Sequence, residues 1–357
     1  MVCENSDFRY EVLDLDSPFD IQMIQEFLEP LGFNFDRKTV DYTMVLYNLN
    51  GDIIGSGSLM NQILKFVAVA PKFRETTAFA DVVKHLTTLA LEKNKTSFVF
   101  TKPENAVKFQ SIGYNELASA PPVYSLLEFG YEGINQYKNY LKKLKRPIEG
   151  NQIASVVVNC NPFTNGHLFL IEKASRENDL VYLFVVEEDG SVFDFETRWM
   201  LIEKGITHLH NVVMVKGGNY IVSKATFPSY FLKNENVDIV TRKQTELDVS
   251  VFAKHIAPVL EIKRRYVGTE NYCNTTAQYN QSMKNILGKQ GIEVIEVERK
   301  YVTDKDNYIS ASKVRKAIKE DDLGLVSDFL PETTLEFLES EESLKIREAI
   351  KNNNARH

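Results

Sequence analysis

The sequence predicts an α/β protein of two domains, the second and larger of which is built on a Rossmann-like parallel sheet. The chain has 357 residues and 43% apolar content, enough for two hydrophobic cores. From residue 153 onward, short apolar runs alternate with helical patterns, which is typical of a parallel sheet covered on both faces. Before residue 130, strand-like runs follow one another around one clear helix, which indicates a separate α+β domain.

The domain boundary is predicted at a lysine-rich segment. Residues 131–150 (YEGINQYKNYLKKLKRPIEG) contain a short helical pattern. Pro147 and Gly150 are expected to end this helix. We therefore expect an N-terminal domain over 1–130, a linker helix over 131–150, an α/β domain over 151–330 and a C-terminal helix over 331–357.

The N-terminal elements are predicted from alternation and turn residues. Residues 42–48 and 53–60 flank Asn50-Gly51, the pair that favours a tight hairpin. Strands at 65–69 and 97–101 and a helix at 77–93 complete the predicted α+β unit.

The C-terminal elements alternate regularly. Predicted strands lie at 153–159, 180–186, 211–215, 237–241, 264–268 and 292–298, and predicted helices at 166–176, 196–207, 247–255, 277–287 and 310–319. Arg242 follows one of these strands, where it could reach a phosphate or lie on the surface. Since parallel sheets bind ligands beyond the carboxyl ends of their strands, the functional residues are sought there.

Charge and composition exclude several classes of protein. The 42 basic and 49 acidic residues give a net charge of −7, which argues against nucleic acid as a partner. The acidic N-terminus and the absence of an 18-residue apolar run predict a cytoplasmic protein with no membrane partner. The three cysteines are far apart, so neither disulfides nor a protein-bound metal is expected.

The first candidate site lies where the strand at 153–159 passes into the following helix. Thr164 and His167 stand three residues apart at the helix start, with Gly166 between them. The N-terminus of a helix offers unpaired N–H groups and partial positive charge, which suit a phosphate. An ordinary turn with a surface histidine would show the same pattern.

The second candidate site is the start of the helix at 310–319. Ser310 and Ser312 occupy N-cap positions, and Arg315 follows one turn later. Hydroxyls, amides and a guanidinium make a second anion clamp, although a plain capped helix would have the same spacing.

Together these segments resemble the signatures of the HxGH nucleotidyltransferase superfamily. The turn signature stands here as Thr164-Asn165-Gly166-His167, with threonine for the first histidine. The late signature stands as Ile309-Ser310-Ala311-Ser312, followed by Arg315, with Ala311 and Ser312 in place of serine and threonine. Neither departure removes a required donor.

The resemblance extends to one family. NPFTNGHLFLIEKA, ATFPSYFLK, RRYVGTENYCNTTAQYNQSMK and ISASKVR are similar, in this order, to the [citrate (pro-3S)-lyase] ligase family. The resemblance implies adenylation of acetate with ATP and Mg²⁺. It also implies acetyl transfer to the thiol of a CoA-like prosthetic group on the citrate lyase acyl carrier subunit, with release of AMP and pyrophosphate.

The same resemblance implies the site residues. His167, Thr164 and Arg315 would be catalytic. The ATP contacts would come from Asn161, Pro162, Phe163, Gly166, Gly268, Thr269, Glu270, Ile309, Ser310 and Ser312. Phe163 or residues 225–228 would also close a pocket around a small acyl group.

The N-terminal portion resembles the GNAT acetyltransferase fold. IIGSGSL, KFVAVAPKFRETTAF and the following helix correspond to its strand, turn and pyrophosphate-binding helix. Arg74 is followed by Thr77 and Phe79 where small residues belong, so catalytic use of acetyl-CoA is not expected. Recognition of the carrier's pantetheine arm and a ligand-free scaffold both remain open.

Three other functions are compatible with the residues. The chain could be an adenylyltransferase with a phosphopantetheine-like acceptor, or a regulator that binds nucleotide or carrier without turnover. It could also be a ligase for a related carrier, such as that of malonate decarboxylase.

Overall fold

The computed structural model describes residues 8–187, 191–223, 237–269, 274–298 and 309–352. These residues divide into two compact units. One holds the described residues up to Tyr137 together with 237–247, and the other holds 138–223 and the described residues from Asp248 onward.

The N-terminal unit is built around one mixed sheet. Its strands are β1 (Arg9–Val12), β2 (Tyr42–Tyr47), β3 (Ile53–Met60), β4 (Ile63–Val69), β5 (Thr96–Thr101), β6 (Asn115–Ala120) and β7 (Tyr124–Gly130). Its helices are α1 (Pro18–Leu28), α2 (Ala78–Lys93) and α3 (Pro103–Gln110), and α4 (Ile134–Leu144) crosses the boundary of the two units.

The sheet order is β1-β2-β3-β4-β5-β7-β6, and every pairing is antiparallel except that of β4 with β5. The predicted hairpin is confirmed, with Gly51 at φ 85° in its turn. Helix α2 packs closely on β3. A Cβ at Gly57 of β3 would lie only 2.5 Å from Leu86 Cδ1 of the helix. The prediction missed α1, α3, β1, β6 and β7.

Strands β4 and β5 diverge along their length. Parallel pairing is confined to Ile63 with Phe98 and Leu64 with Val99. Beyond these two pairs, the described residues show no further pairing of β4 with β5. Residues of both strands line a cavity of about 850 Å³ in this unit.

The C-terminal unit is a parallel α/β structure, as predicted. Its strands are β8 (Ile153–Val158), β9 (Leu180–Val185), β10 (Val212–Lys216), β11 (Arg264–Gly268) and β12 (Glu293–Val297), and α7 (Val237–Val251) joins the two units in sequence. Its helices are α5 (Asn165–Glu177), α6 (Phe195–Gly205), α8 (Ala257–Leu260), α9 (Asn274–Lys289), α10 (Ala311–Lys319), α11 (Glu332–Glu339) and α12 (Leu344–Asn352).

The order of this sheet is β10-β9-β8-β11-β12, with all pairings parallel. All six residues of β9 are buried, so both faces of the sheet are covered there. Because β8 lies between β9 and β11, the order reverses direction beside β8, and its carboxyl end is the expected place for a ligand.

The strand predicted at 237–241 is wrong. Residues 237–241 form the first turns of α7, and Arg242 therefore lies within a helix and not at a strand end. An apolar run of five residues fits a buried strand as well as a buried helix, and only its continuation over fifteen residues decides between them.

Among the described residues, no helix is long and apolar enough to cross a membrane.

Candidate active site

The loop that leaves the central strand of the parallel sheet is tightly folded. Strand β8 ends at Val158, and Cys160 follows with φ 54°, a left-handed conformation that is uncommon for a residue with a side chain. Burial raises the pKa of the Cys160 thiol, and Arg198 opposes this shift. The thiol is therefore a packed core group.

Helix α5 begins with a reciprocal cap between Thr164 and His167. The Thr164 hydroxyl accepts from the His167 amide at 3.5 Å, and the Thr164 amide donates to His167 Nδ1 at 3.1 Å. Because Nδ1 accepts this bond, the neutral ring carries its proton on Nε2. The cap thus presents an imidazole donor in a fixed tautomer at a helix N-terminus.

The helix start keeps features that suit an anion. There is no acidic residue in the first turn of α5, and the first amides of a helix have no intrahelical acceptor. The Asn165 side chain faces elsewhere and donates to the carbonyls of Asp328 and Leu330 at 3.0 and 3.1 Å. These two bonds tie the helix start to the C-terminal part of the chain.

Helix α10 begins against the same loop. Ser310 caps it by accepting from the Ser312 amide at 3.2 Å, while Ser312 itself is exposed in the first turn. Arg315 donates from its guanidinium to the Asn161 carbonyl, across 154 positions of sequence. Burial lowers the pKa of the Arg315 guanidinium below its usual value.

The two helix starts meet at Gly166 and Ile309. A Cβ at Gly166 would lie 3.4 Å from Ile309 Cγ2, so the residue that precedes the N-cap of α10 packs directly on the first turn of α5. The structure therefore brings together the two anion clamps that the sequence placed far apart.

Three predicted nucleotide contacts lie inside the protein. Asn161, Pro162 and Phe163 are buried, and Asn161 Oδ1 accepts from the Phe193 amide at 3.2 Å. Phe163 is fully buried, and a Cβ at Gly205 of α6 would lie 2.5 Å from its ring. Phe163 therefore anchors the loop in the core and has no exposed side-chain surface with which to line an acyl pocket.

Three further predicted ATP contacts follow the neighbouring strand β11. Gly268 ends β11, and the Thr269 amide donates to the Val297 carbonyl at 2.8 Å. Among the described residues, no atom would lie within 4 Å of a Cβ at Gly268. Glu270 and residues 225–228 lie outside the described residues.

Sequence reasoning missed Arg198. This arginine is fully buried on α6, and it donates to the carbonyls of Asn159, Val186 and Phe193 at 2.8, 2.7 and 3.0 Å. The sequence feature that could have identified Arg198 is its position within the apolar stripe formed by Phe195, Leu201 and Ile202.

No protein-based metal site is found in the described part of the chain, where no three His, Cys, Asp or Glu side chains cluster. A divalent cation that serves here would have its oxygen ligands supplied mainly by the nucleotide, as Mg²⁺ commonly does.

Comparison with known proteins identifies the family. Residues 153–338 match the family model described as "Citrate lyase ligase C-terminal domain". The [Citrate [pro-3S]-lyase] ligase of Haemophilus influenzae is 37% identical over 325 residues, covering 89% of this chain and 95% of that protein. The chain belongs to the citrate lyase ligase family.

A second relative agrees with this membership. The Escherichia coli [Citrate [pro-3S]-lyase] ligase is 36% identical over 294 residues, covering 81% of this chain and 82% of that protein. Thermotoga maritima TmcAL, solved with alpha-thio ATP, aligns at a TM-score of 0.34 and 16% identity, over 54% of this chain and 56% of that one. The family shows that the chain is a ligase, as the sequence predicted.

Proposed function

We propose that this ligase adenylates acetate with ATP and transfers the acetyl group to the thiol of a CoA-like prosthetic group on the citrate lyase acyl carrier subunit. The observation that carries the proposal is the convergence of two helix starts, at Thr164–His167 and Ser310–Arg315, at one edge of the parallel sheet. Such a double clamp suits the triphosphate of a nucleotide.

In the first step, an acetate oxygen attacks the α-phosphorus of ATP and pyrophosphate leaves. Negative charge builds on the phosphate oxygens, so the chain's contribution is position and fixed donors. His167 Nε2–H and the first amides of α5 would hold the α and β phosphates. Ser310, Ser312 and Arg315 would hold the departing end, and Mg²⁺ would neutralise charge on the pyrophosphate oxygens.

In the second step, the carrier thiol, as thiolate, attacks the carbonyl carbon of acetyl adenylate. A thioester forms, AMP departs, and the thiol proton passes to solvent or buffer. Because this step needs no redox partner, ATP, acetate and the thiol account for every atom in the products.

Mass spectrometry of the carrier subunit tests the proposal. The chain is incubated with ATP, Mg²⁺, acetate and deacetylated citrate lyase, and AMP is measured in the same samples. One acetyl group gained per carrier, with one AMP formed, is the expected result. A dinucleotide product with no acetyl gain would indicate an adenylyltransferase, and neither product would indicate a regulator without turnover.

We also propose that the cavity of the N-terminal unit receives the pantetheine arm of the carrier. The support is that parallel pairing of β4 with β5 covers only two residue pairs, and that Val67–Val69 of β4 and Phe100 and Thr101 of β5 line the cavity beyond those pairs. An extended arm bound there would run along strand backbones. Its volume of about 850 Å³ suits a small ligand.

Calorimetric titration of the intact chain with pantetheine tests this second role. Ala80 lines the cavity from α2, and Thr88 is exposed on the same helix. Ala80→Phe should abolish binding and Thr88→Phe should leave it unchanged. Equal binding by the two variants, or none by the wild type, would favour a scaffold.

A further inference from the structure

The guanidinium of Arg198 lies under the carboxyl edge of the parallel sheet. One nitrogen, Nη1, donates to the carbonyl of Asn159, directly after β8, and to that of Val186, directly after β9. These strands are neighbours, with Val158 opposite Val185. A single side chain thus joins the ends of two adjacent strands at the edge where the candidate site lies.

The third bond of Arg198 reaches the segment that supports the loop. Its Nε donates to the Phe193 carbonyl, while the Phe193 amide donates to Asn161 Oδ1. Asn159 is therefore held through its own carbonyl, and Asn161 through Phe193. The loop from β8 to α5 is connected to Arg198 at both points.

The charge of Arg198 has an electrostatic consequence for this edge. Carbonyl oxygens at strand ends carry partial negative charge, which would repel a triphosphate placed above them. A guanidinium bound to two of them, at Asn159 and Val186, cancels part of this field, and the effect is strong because a fully buried charge is poorly screened by water. Arg315 does the same at the Asn161 carbonyl.

We propose that Arg198 is a positioning residue for the nucleotide: it fixes the loop at 159–163 and makes the sheet edge beneath the phosphates electropositive. This inference rests on the proposed function, because it assumes that the anion above the loop is ATP. A lysine keeps the charge, but its single nitrogen cannot reproduce the planar fork that bonds three carbonyls.

The test compares Arg198→Lys with Arg265→Lys by ATP titration calorimetry and thermal unfolding of the full chain. Arg265 is a matched control because it is also buried, on β11, and its guanidinium packs over the Phe252 ring at 4.5 Å. It lies opposite Ser155 of β8, four positions before Asn159 and toward the other end of the sheet.

Both variants should unfold at a lower temperature than the wild type. Arg198→Lys should also raise the Kd for ATP by about tenfold, the scale of one lost charge-assisted hydrogen bond, whereas Arg265→Lys should leave it unchanged. Unaltered ATP affinity in Arg198→Lys, or equal weakening in both variants, would overturn the proposal.

Asn161→Ala provides the second variant should Arg198→Lys fail to fold. It removes the acceptor of the Phe193 amide and so loosens the same loop at one point; weaker ATP binding supports the proposal and wild-type affinity overturns it. The wild-type titration separates the two ideas, since no ATP binding by the unmodified chain would reject the proposed function itself.

Discussion

The two units each contain a helix that begins beside a sheet, and the first turns of these two helices differ in the features that suit an anion. At α5 the first turn holds Gly166, no acid and an imidazole in a fixed tautomer. At α2 the Ala78 amide is taken by the Thr76 hydroxyl, and Asp81 places a carboxylate in the first turn. A helix dipole alone therefore does not make a phosphate site; the side chains of the first turn decide.

The largest effect is expected at the imidazole that distinguishes the two helix starts. His167→Ala removes the Nε2 donor and the reciprocal cap, and it should lower acetate-dependent exchange of pyrophosphate into ATP by about 10²–10³-fold in kcat. The control is His208→Ala, an exposed histidine beside Glu172 in the same unit. Normal exchange by His167→Ala would show that α5 is no more an anion site than α2.

The second effect concerns the other helix start at the site. Arg315→Lys should lower kcat/KM for ATP by about tenfold or more, because lysine cannot hold the Asn161 carbonyl and a phosphate with one planar fork. Arg347→Lys, which changes an arginine paired with Asp321 in the same unit, should leave the value unchanged. Equal kinetics for both variants would remove Arg315 from the clamp.

A smaller effect is expected behind the loop. Gly205→Ala places a methyl group 2.5 Å from the fully buried Phe163 ring, so overpacking should reduce the free energy of unfolding by about 1–3 kcal/mol. Gly288→Ala in α9, where no atom of the described part of the chain lies within 4 Å of the new Cβ, should not destabilise the chain. Urea unfolding measures the stability of both variants. An unchanged midpoint for Gly205→Ala would show that the Phe163 ring can move aside.

The smallest effect lies in the N-terminal unit. Burial lowers the pKa of Lys65 from 10.5 to about 8, with nearby Asp36 and Asp41 opposing the shift. Between these two values the unfolded chain binds more protons than the folded one, so stability should rise with pH across this window.

Lys65→Met isolates this contribution, because it removes the titrating group. Thermal unfolding is measured from pH 7 to 10.5. The stability of the wild type should increase relative to that of the variant as pH rises above about 8. Parallel curves for the two proteins would mean that Lys65 is solvated in the folded state.

Much of the C-terminal unit could be predicted from the sequence, because its strands are continuous apolar runs and its helix starts carry capping residues. Thr164, His167, Ser310 and Arg315 all lie where the pattern placed them. The strand at 237–241 failed because a short apolar run has no decisive period. The small strands β6 and β7 and the helices α1 and α3 lacked a strong enough pattern of their own.

Roles that depend on burial were out of reach of the sequence. Phe163 belongs to the core because α6 approaches it at Gly205, and Arg198 serves the loop because three carbonyls converge on it. Both facts require tertiary contacts between segments that no local spacing encodes. The same holds for Asn165, whose side chain is bound to residues more than 160 positions away.

A crystal structure of the chain with a non-hydrolysable ATP analogue, Mg²⁺ and acetate is the most direct measurement of where the nucleotide sits. It should place the triphosphate between the first turns of α5 and α10, within hydrogen-bond reach of His167 Nε2 and of Ser310 or Arg315. An analogue bound elsewhere, with the His167 side chain and the start of α10 untouched, would contradict the assignment.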